Sequence, residues 1–136
     1  MAATTTTPAA WTREALAAAP QTYFDAVDAK DVDAVLAHFA DDATLTVQTD
    51  HVTFTGAAEI RRMFTDFFEA SVTIRHEIRN IVIEEATGKV ATEQGYIGEL
   101  EDGSKNDMHN CNFFSFDEEG KFSRVIIWMA GTNPLH

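Results

Sequence analysis

A histidine and an asparagine interrupt an otherwise apolar face of one predicted strand. Residues 72–85 alternate with a period of two, which predicts a strand, and His76 and Asn80 share one of its faces with Ile74 and Ile78. Polar groups in such an apolar row are typical of a pocket lining. Imidazole changes its charge near neutral pH, so His76 is a candidate for catalysis. The alternative is that His76 is only a hydrogen-bonded residue of the inner face.

Two asparagines on a second predicted strand are placed to line the same pocket. If Asn112, in the strand predicted over residues 105–117, faces inward, its neighbours at two-residue spacing do so too: Met108, Asn110 and Phe114. The opposite face then carries His109, Cys111 and Phe113, and we predict that it forms a dimer interface. The rest of the predicted lining comes from other elements: Val47, Phe64, Ile127 and Met129.

The composition limits the kinds of partner that the chain can take. Its 136 residues include 22 acidic and 10 basic side chains, a formal net charge of −12, and 45% are apolar. This predicts one domain over residues 11–136 with its own core, after a flexible segment over residues 1–10. The negative charge argues against binding to nucleic acid or to a membrane surface. Without a signal-peptide pattern or a membrane-spanning stretch, a cytoplasmic protein is expected.

Metal and cofactor motifs do not occur in the sequence. Cys111 is the single cysteine, so it cannot form an internal disulfide, and no paired ligand spacing suits zinc. A phosphate-binding glycine loop, a nucleophile elbow and an HExxH pattern are also missing. We therefore expect a chemistry that needs no cofactor and no metal.

Three helices must precede the strands that carry these side chains. The first helix begins after the N-cap Thr12 and either kinks at Pro20 or begins its ordered part there. A short second helix starts after the N-cap Asp31 and ends at residues 41–42, and residues 57–70 form the clearest amphipathic helix.

The second half of the chain is a predicted meander. Strands are predicted, in chain order, over residues 44–48, 52–55, 72–85, 89–101, 105–117 and 121–130. Short glycine-containing connections between the last four favour antiparallel hairpins. The pattern does not settle whether Glu93 and Glu99 face inward; an inward Glu93 would be a candidate acid or base.

Four local strings, together with the element order, carry a family resemblance over about residues 20–131. They are Asp28-Ala-Lys-Asp-Val-Asp33, Phe39-Ala-Asp-Asp-Ala43, Phe54-Thr-Gly-Ala-Ala-Glu-Ile60 and Phe113-Phe-Ser-Phe-Asp-Glu-Glu-Gly-Lys121. These strings resemble the SnoaL-like branch of the nuclear-transport-factor-2-like superfamily. The resemblance implies an α+β fold in which a curved antiparallel sheet forms a cone around three N-terminal helices. It also implies a pocket inside the cone and a homodimer through the convex sheet face.

The resemblance assigns roles to four residues. Asp28 and His76 match the acid and one histidine of scytalone-dehydratase-like enzymes, while the position of the second histidine falls near Leu100. Tyr23 and Asn112 match the tyrosine and the acid that form the oxyanion hole of ketosteroid isomerases. An asparagine amide can donate to an oxyanion without a raised pKa.

These residues support the hypothesis of a cofactor-independent enzyme that acts on a small, apolar, oxygenated ligand, polyketide-like or terpenoid-like. Its chemistry would be acid/base proton transfer: cyclisation, isomerisation or dehydration. Tyr23 and Asn112 would polarise a carbonyl, and His76, oriented by Asp28, would carry the proton. The base of ketosteroid isomerases aligns with Val47, which argues against steroid isomerisation by that route. An epoxide hydrolase and a non-catalytic module that binds small ligands are the alternatives.

Overall fold

Trp11 ties the start of the chain to the sheet in the computed structural model, which describes residues 7–136. The Trp11 indole N–H donates to the carbonyl of Asp117 at 2.8 Å. Its ring lies against Gly88, where a Cβ atom would come within 2.5 Å of it. The predicted flexible segment over residues 1–10 lies largely outside the described residues.

Three helices surround the N-terminal part of the fold. They are α1 (Arg13–Asp28), α2 (Val32–Leu36) and α3 (Ala57–Ala70). The predicted N-caps of the first two are confirmed, because the side chains of Thr12 and Asp31 accept from main-chain N–H groups three residues on. Helix α1 continues through Pro20 rather than beginning there. No helix within residues 7–136 is long and apolar enough to span a bilayer.

The described strands form one curved, unclosed sheet. They are β1 (Phe39–Val47), β2 (Val52–Thr55), β3 (Ser71–Glu84), β4 (Lys89–Leu100), β5 (Lys105–Phe116) and β6 (Phe122–Trp128). Their order is β2-β1-β6-β5-β4-β3, with β1 and β6 parallel and the other neighbours antiparallel. The predicted α+β cone is confirmed.

The first strand begins earlier than the sequence predicts. The helical period assigns Phe39 to the second helix, but α2 ends at Leu36. Phe39 instead pairs with Phe122 of β6, and their rings meet edge to face at 5.4 Å. Tertiary packing on the parallel neighbour therefore outweighs the local helical pattern.

A β-bulge at Arg79 reverses the facing of the second half of β3. Ile78 pairs with Gln94, whereas Asn80 pairs with Glu93, so one residue of β3 has no partner on β4. Asn80 therefore lies on the outer face and is exposed. The prediction that Asn80 lines the pocket is wrong, because a period of two does not reveal a bulge.

The bulge also moves two isoleucines inward. A period of two counted from His76 places Ile81 and Ile83 on the outer face, where the sequence would assign them to the dimer interface, but both are half-buried and pack against the core. On β4 the inner face carries four buried side chains: Val90, Thr92, Gln94 and Tyr96. Glu93 and Glu99 have the opposite parity, so neither faces the core.

The ring of Tyr23 lies at the centre of the aromatic core. Five phenylalanine rings surround it at centroid distances of 5.1 to 6.2 Å: Phe24, Phe39, Phe64, Phe114 and Phe122. Such tilted and edge-to-face contacts stabilise more than burial alone. They fix α1 against the inner face of the sheet, and with it the side chains that α1 contributes to the site.

Candidate functional site

Asp28 and His76 are joined by two hydrogen bonds. His76 Nδ1 lies 2.6 Å from Asp28 Oδ1, and the His76 main-chain N–H donates to Asp28 Oδ2 at 2.8 Å. Asp28 ends α1 and His76 lies in β3, so the pair connects the helix to the sheet. The side chains are only 23% and 13% exposed, respectively, which limits competition from water.

The carboxylate determines which nitrogen of His76 carries the proton. An ionised carboxylate can only accept a hydrogen bond, so the proton is on Nδ1 and Nε2 keeps a lone pair. Nε2 makes no hydrogen bond with residues 7–136 and is free to accept a proton. The positive charge that would result is stabilised by Asp28 and by the C-terminal end of α1, where the helix dipole favours cations.

Two aromatic rings hold the imidazole of His76 in place. Phe24 stacks on it at 4.7 Å and 22°, and Tyr96 stacks on it at 5.1 Å and 25°. Phe24 lies one helical turn before Asp28, so a single helix supplies both a stacking ring and the carboxylate. Gly98 leaves room for the Tyr96 hydroxyl, which a Cβ atom at that position would overlap.

A small cavity under the sheet begins at His76. It has about 40 Å³ of room for the centres of water-sized molecules, which corresponds to roughly three waters. Its polar lining consists of Tyr23, His76, Gln94, Tyr96, Asn110 and Asn112. The rest of the described lining is apolar, and no lysine or arginine contributes to it.

The two asparagines of β5 are held by their carbonyl oxygens. The main-chain N–H of Ala130 donates to Asn110 Oδ1 at 3.0 Å, and Gln94 Nε2 donates to Asn112 Oδ1 at 2.8 Å. Neither Nδ2 atom has a partner within residues 7–136, and neither is sealed from the cavity. Both amides therefore present donors to a ligand.

Tyr23 adds a neutral hydroxyl to the cavity. Burial raises the pKa of its phenol, and the negative charge of Asp28 raises it further. The phenol therefore keeps its proton at neutral pH and acts as a donor. Within residues 7–136 its hydroxyl makes no hydrogen bond, so the donor is available to a ligand.

The chain after β6 closes one side of the cavity. Pro134 and Leu135 line it, and Leu135 is 6% exposed. This tail has few polar ties to the rest of the fold, among them a 3.3 Å hydrogen bond from Arg62 to the main-chain oxygen of His136. Pro134 also borders a larger open groove that includes Asn133 and His136.

The structure brings most of the predicted site residues together. Those that line the cavity are Tyr23, Phe64, His76, Asn110, Asn112, Ile127 and Met129. Asp28 lies behind His76. Three predicted lining residues, Val47, Met108 and Phe114, are buried on the inner side but do not border the cavity. Asn80 is outside it altogether, as described above.

Sequence reasoning missed seven residues that line the cavity: Phe24, Val27, Phe67, Gln94, Tyr96, Pro134 and Leu135. Gln94 and Tyr96 lie on the same face of β4 as the buried Val90, so consistent use of the two-residue period would have placed both of them inward. Leu135 carried no signal, because it lies in an irregular tail without a period. Of the seven, Gln94 is hydrogen-bonded to Asn112 and Tyr96 stacks on His76.

A second carboxylate–histidine pair lies on the outer face of the sheet. Glu93 accepts from His109 Nε2 at 2.7 Å and from the Asn80 amide at 3.3 Å. These two hydrogen bonds lower the pKa of Glu93. The side chains of His109 and Glu93 are 54% and 45% exposed, and neither lines the cavity that begins at His76. Among the described residues, no group of three or more acidic, histidine or cysteine side chains is arranged to hold a metal ion.

Comparison with known families identifies the chain. Residues 21–125 match the family model described as the SnoaL-like domain. The protein is a member of the SnoaL-like family. The family resemblance predicted from its local strings is thereby confirmed. No protein of curated function matches the sequence.

Solved structures share the fold of this SnoaL-like protein. A candidate aromatic ring hydroxylase from Novosphingobium aromaticivorans is 26% identical, with a TM-score of 0.77 over 88% of this chain and 90% of that one. The epoxide hydrolase/cyclase-like enzyme SalBIII, which acts in pyran ring formation in the polyether salinomycin, is 18% identical, with a TM-score of 0.79 over 88% and 94%. A candidate SnoaL-like polyketide cyclase from Shewanella denitrificans is 12% identical, with a TM-score of 0.77 over 86% and 91%.

Proposed function

We propose that this SnoaL-like protein is a cofactor-independent enzyme that moves a proton on a small, neutral, apolar, oxygenated substrate of polyketide or terpenoid type. The observation that carries the proposal is the pair of hydrogen bonds between Asp28 and His76, which leaves Nε2 as a base at the cavity. Cyclisation, isomerisation and dehydration of a carbonyl compound through an enolate all need such a base.

The proposed step uses the donors that surround this base. A substrate carbonyl accepts from the Tyr23 hydroxyl and from Asn112 Nδ2. His76 Nε2 takes a proton from the carbon beside the carbonyl, and the electrons of the C–H bond form an enolate whose oxygen these donors stabilise. Asp28 stabilises the imidazolium. In an isomerisation the imidazolium returns the proton to another carbon. In a ring closure the enolate carbon forms a bond to a second carbonyl carbon, and the oxygen of that carbonyl takes the proton. In a loss of water the enolate electrons break the C–O bond, and the departing hydroxide takes the proton.

The lining of the cavity favours a neutral substrate. It has no lysine or arginine to pair with a carboxylate or phosphate, and Asp28 places a negative charge behind His76. An anionic substrate would meet repulsion without compensation. Ketones, diketones and hydroxyketones fit the combination of several donors and one base.

The cavity must enlarge to admit such a molecule, because about 40 Å³ is far below the roughly 300 Å³ of an ordinary ligand site. We infer that the tail moves. Three lining residues lie outside the helices and the sheet, and all follow β6: Met129, Pro134 and Leu135. Displacement of the last two would join the cavity to the adjoining groove.

Epoxide opening is the second candidate reaction. It is suggested by the fold shared with SalBIII, an epoxide hydrolase/cyclase-like enzyme. Hydrolysis of an epoxide needs one group to activate water and an acid to protonate the oxygen. His76 could activate water, and Tyr23 is the available proton donor because burial keeps its phenol protonated. The dyad contains a single carboxylate, Asp28, which is already bound to His76. Proton transfer at a carbonyl therefore fits the cavity better than epoxide hydrolysis does.

Deuterium exchange tests the proposal without knowledge of the natural substrate. Neutral cyclic ketones and diketones would be incubated in heavy water, and incorporation of deuterium next to the carbonyl would be followed by NMR. The protein should accelerate exchange, and His76→Gln should lower the rate about a hundredfold or more. Equal rates for the two proteins would overturn the assignment of the base.

The outer pair provides a matched control for this experiment. His109 is bound to a carboxylate at nearly the same distance as His76, but on the exposed face. His109→Gln should exchange deuterium as fast as the unmodified protein. If ligands bind but no exchange occurs, the protein would instead be a non-catalytic module that binds small ligands.

A further inference from the structure

A chain of buried hydrogen bonds leads to one of the proposed carbonyl donors. Thr92 Oγ1 donates to Gln94 Oε1 at 2.7 Å, and Gln94 Nε2 donates to Asn112 Oδ1 at 2.8 Å. All three side chains are 1 to 2% exposed. Gln94 and Asn112 border the cavity, whereas Thr92 lies behind them.

The direction of this chain follows from the number of hydrogens available. If the Gln94 amide were reversed, its NH₂ group would donate to Thr92 and its oxygen would accept from Asn112. The Thr92 hydroxyl hydrogen would then have no acceptor within the described residues, and an unpaired buried donor is costly. The arrangement with Thr92 donating gives the hydroxyl hydrogen an acceptor, so it fixes Asn112 with its oxygen bound to Gln94 and its Nδ2 toward the cavity.

Asn110 is oriented by an independent partner. A main-chain N–H can only donate, so the hydrogen bond from Ala130 fixes Asn110 Oδ1 and turns its Nδ2 away from the tail. Asn110 and Asn112 lie two residues apart on one face of β5, which separates their Cα atoms by about 7 Å. The inner face of β5 thus carries two amide donors in a row.

We propose that Gln94 is a positioning residue that locks Asn112 as a donor, and that the resulting pair of amide donors selects neutral ligands with two oxygen acceptors. The inference rests on the proposed function for the location of the ligand, and it narrows the substrate class from oxygenated compounds to dicarbonyl or hydroxycarbonyl compounds. A carbonyl at Asn112 would be activated, and the second oxygen would bind Asn110.

The cavity as a whole agrees with this selectivity. Both β5 amides present donors, the Tyr23 hydroxyl can donate, and His76 Nε2 presents a lone pair. A ligand with one carbonyl would leave one amide without a partner on the ligand, and such loss of a partner gives strong discrimination. A ligand with two suitable oxygens satisfies both amides.

Binding of a matched ligand pair tests the role of Gln94. A cyclic diketone and the monoketone of the same ring size would be titrated by NMR or calorimetry, and the ratio of their Kd values measured. We expect the unmodified protein to prefer the diketone, and Gln94→Met, which keeps the side-chain size, to reduce that preference about tenfold. Thr92→Val should reduce it less, because Gln94 can still donate to Asn112.

Two further measurements separate this inference from its alternatives. An unchanged ratio in a folded Gln94→Met or Thr92→Val protein would overturn it; if the Gln94 variant does not fold, Thr92→Val and the response of the Asn112 side-chain NH₂ signals to the diketone decide. His76→Gln should lose exchange but keep the diketone preference. If His76→Gln keeps both the diketone preference and the exchange rate of the unmodified protein, the proposed function is wrong, but the positioning role of Gln94 is still supported.

Discussion

Both carboxylate oxygens of Asp28 are bound by His76, one by its ring and one by its main chain. The second bond holds the carboxylate when the ring changes charge, so Asp28 can stabilise both states of the imidazole from one position. A single hydrogen bond would allow the carboxylate to rotate away. The geometry therefore suits repeated proton uptake and release.

Asp28→Asn should retain the fold but lose the base. The new amide can accept from the His76 main chain while its NH₂ group donates to Nδ1, which moves the ring proton to Nε2 and removes the lone pair from the cavity. We expect deuterium exchange to slow by about a hundredfold to ten-thousandfold. NMR of the imidazole nitrogens would show the tautomer directly. Glu93→Gln, the equivalent change in the outer pair, should leave the exchange rate unchanged, and an equal loss there would contradict the assignment.

Tyr23 should remain protonated at alkaline pH. Burial and Asp28 raise its pKa, whereas an unfolded chain ionises tyrosine near pH 10. Since the folded pKa is raised, the contribution of Tyr23 to stability is complete below about pH 10 and is lost as the pH rises above it. Ultraviolet absorbance should show little tyrosinate until unfolding begins. Tyr23→Phe should unfold with a weaker dependence on alkaline pH; an identical dependence would contradict this origin.

Leu135→Ala should enlarge the cavity. The side chain is buried at the cavity wall, so its truncation should lower the free energy of unfolding by about 2 to 5 kcal/mol. A small apolar ligand that fills the space should restore part of that loss, measured as a shift in Tm. Leu45→Ala provides the comparison, because Leu45 is fully buried but does not line the cavity. Equal rescue of both variants would show that the tail does not control access.

Two copies of the chain should associate through the outer sheet face. Phe113 and Trp128 form an exposed edge-to-face pair at 5.3 Å, and Ile97 on the same face is 51% exposed. An apolar patch of this kind marks an interaction surface. Phe113→Lys should shift the protein from dimer to monomer in light scattering, whereas Val52→Lys, which changes an exposed valine on β2, should not. A monomer before any substitution would end this expectation.

The periods in the sequence predicted the fold well because each element has one buried face. The third helix and the strands of the meander carry regular apolar patterns, and the caps at Thr12 and Asp31 were recognised from local chemistry. Phe39 is the instructive exception. Its contact with Phe122 lies far away in sequence, so no local pattern could have assigned it to a strand.

The candidate site was less accessible to sequence reasoning. Parity placed His76 and the β5 asparagines inside the cone, and the family resemblance added Asp28 and Tyr23. Parity failed for Asn80 because the bulge depends on pairing with β4. The role of Gln94 depends on the direction of hydrogen bonds between two strands, and the role of Leu135 depends on how the tail packs. Neither property can be predicted from the spacing of apolar residues in the sequence.

The bulge at Arg79 divides β3 into two segments that differ in which residues face inward. Even-numbered residues such as His76 face inward before the bulge, and odd-numbered residues such as Ile81 face inward after it. The Arg79 side chain lies over Gly95, where a Cβ atom would come within 2.6 Å of it. Loss of the bulged residue would restore a continuous alternation and leave His76 inward, Asn80 outward and Ile81 inward. Members of the family should therefore be aligned in two segments across this strand, because a relative one residue shorter here keeps the same inner face. A relative of equal length without the bulge would instead place the residues after it on the opposite faces.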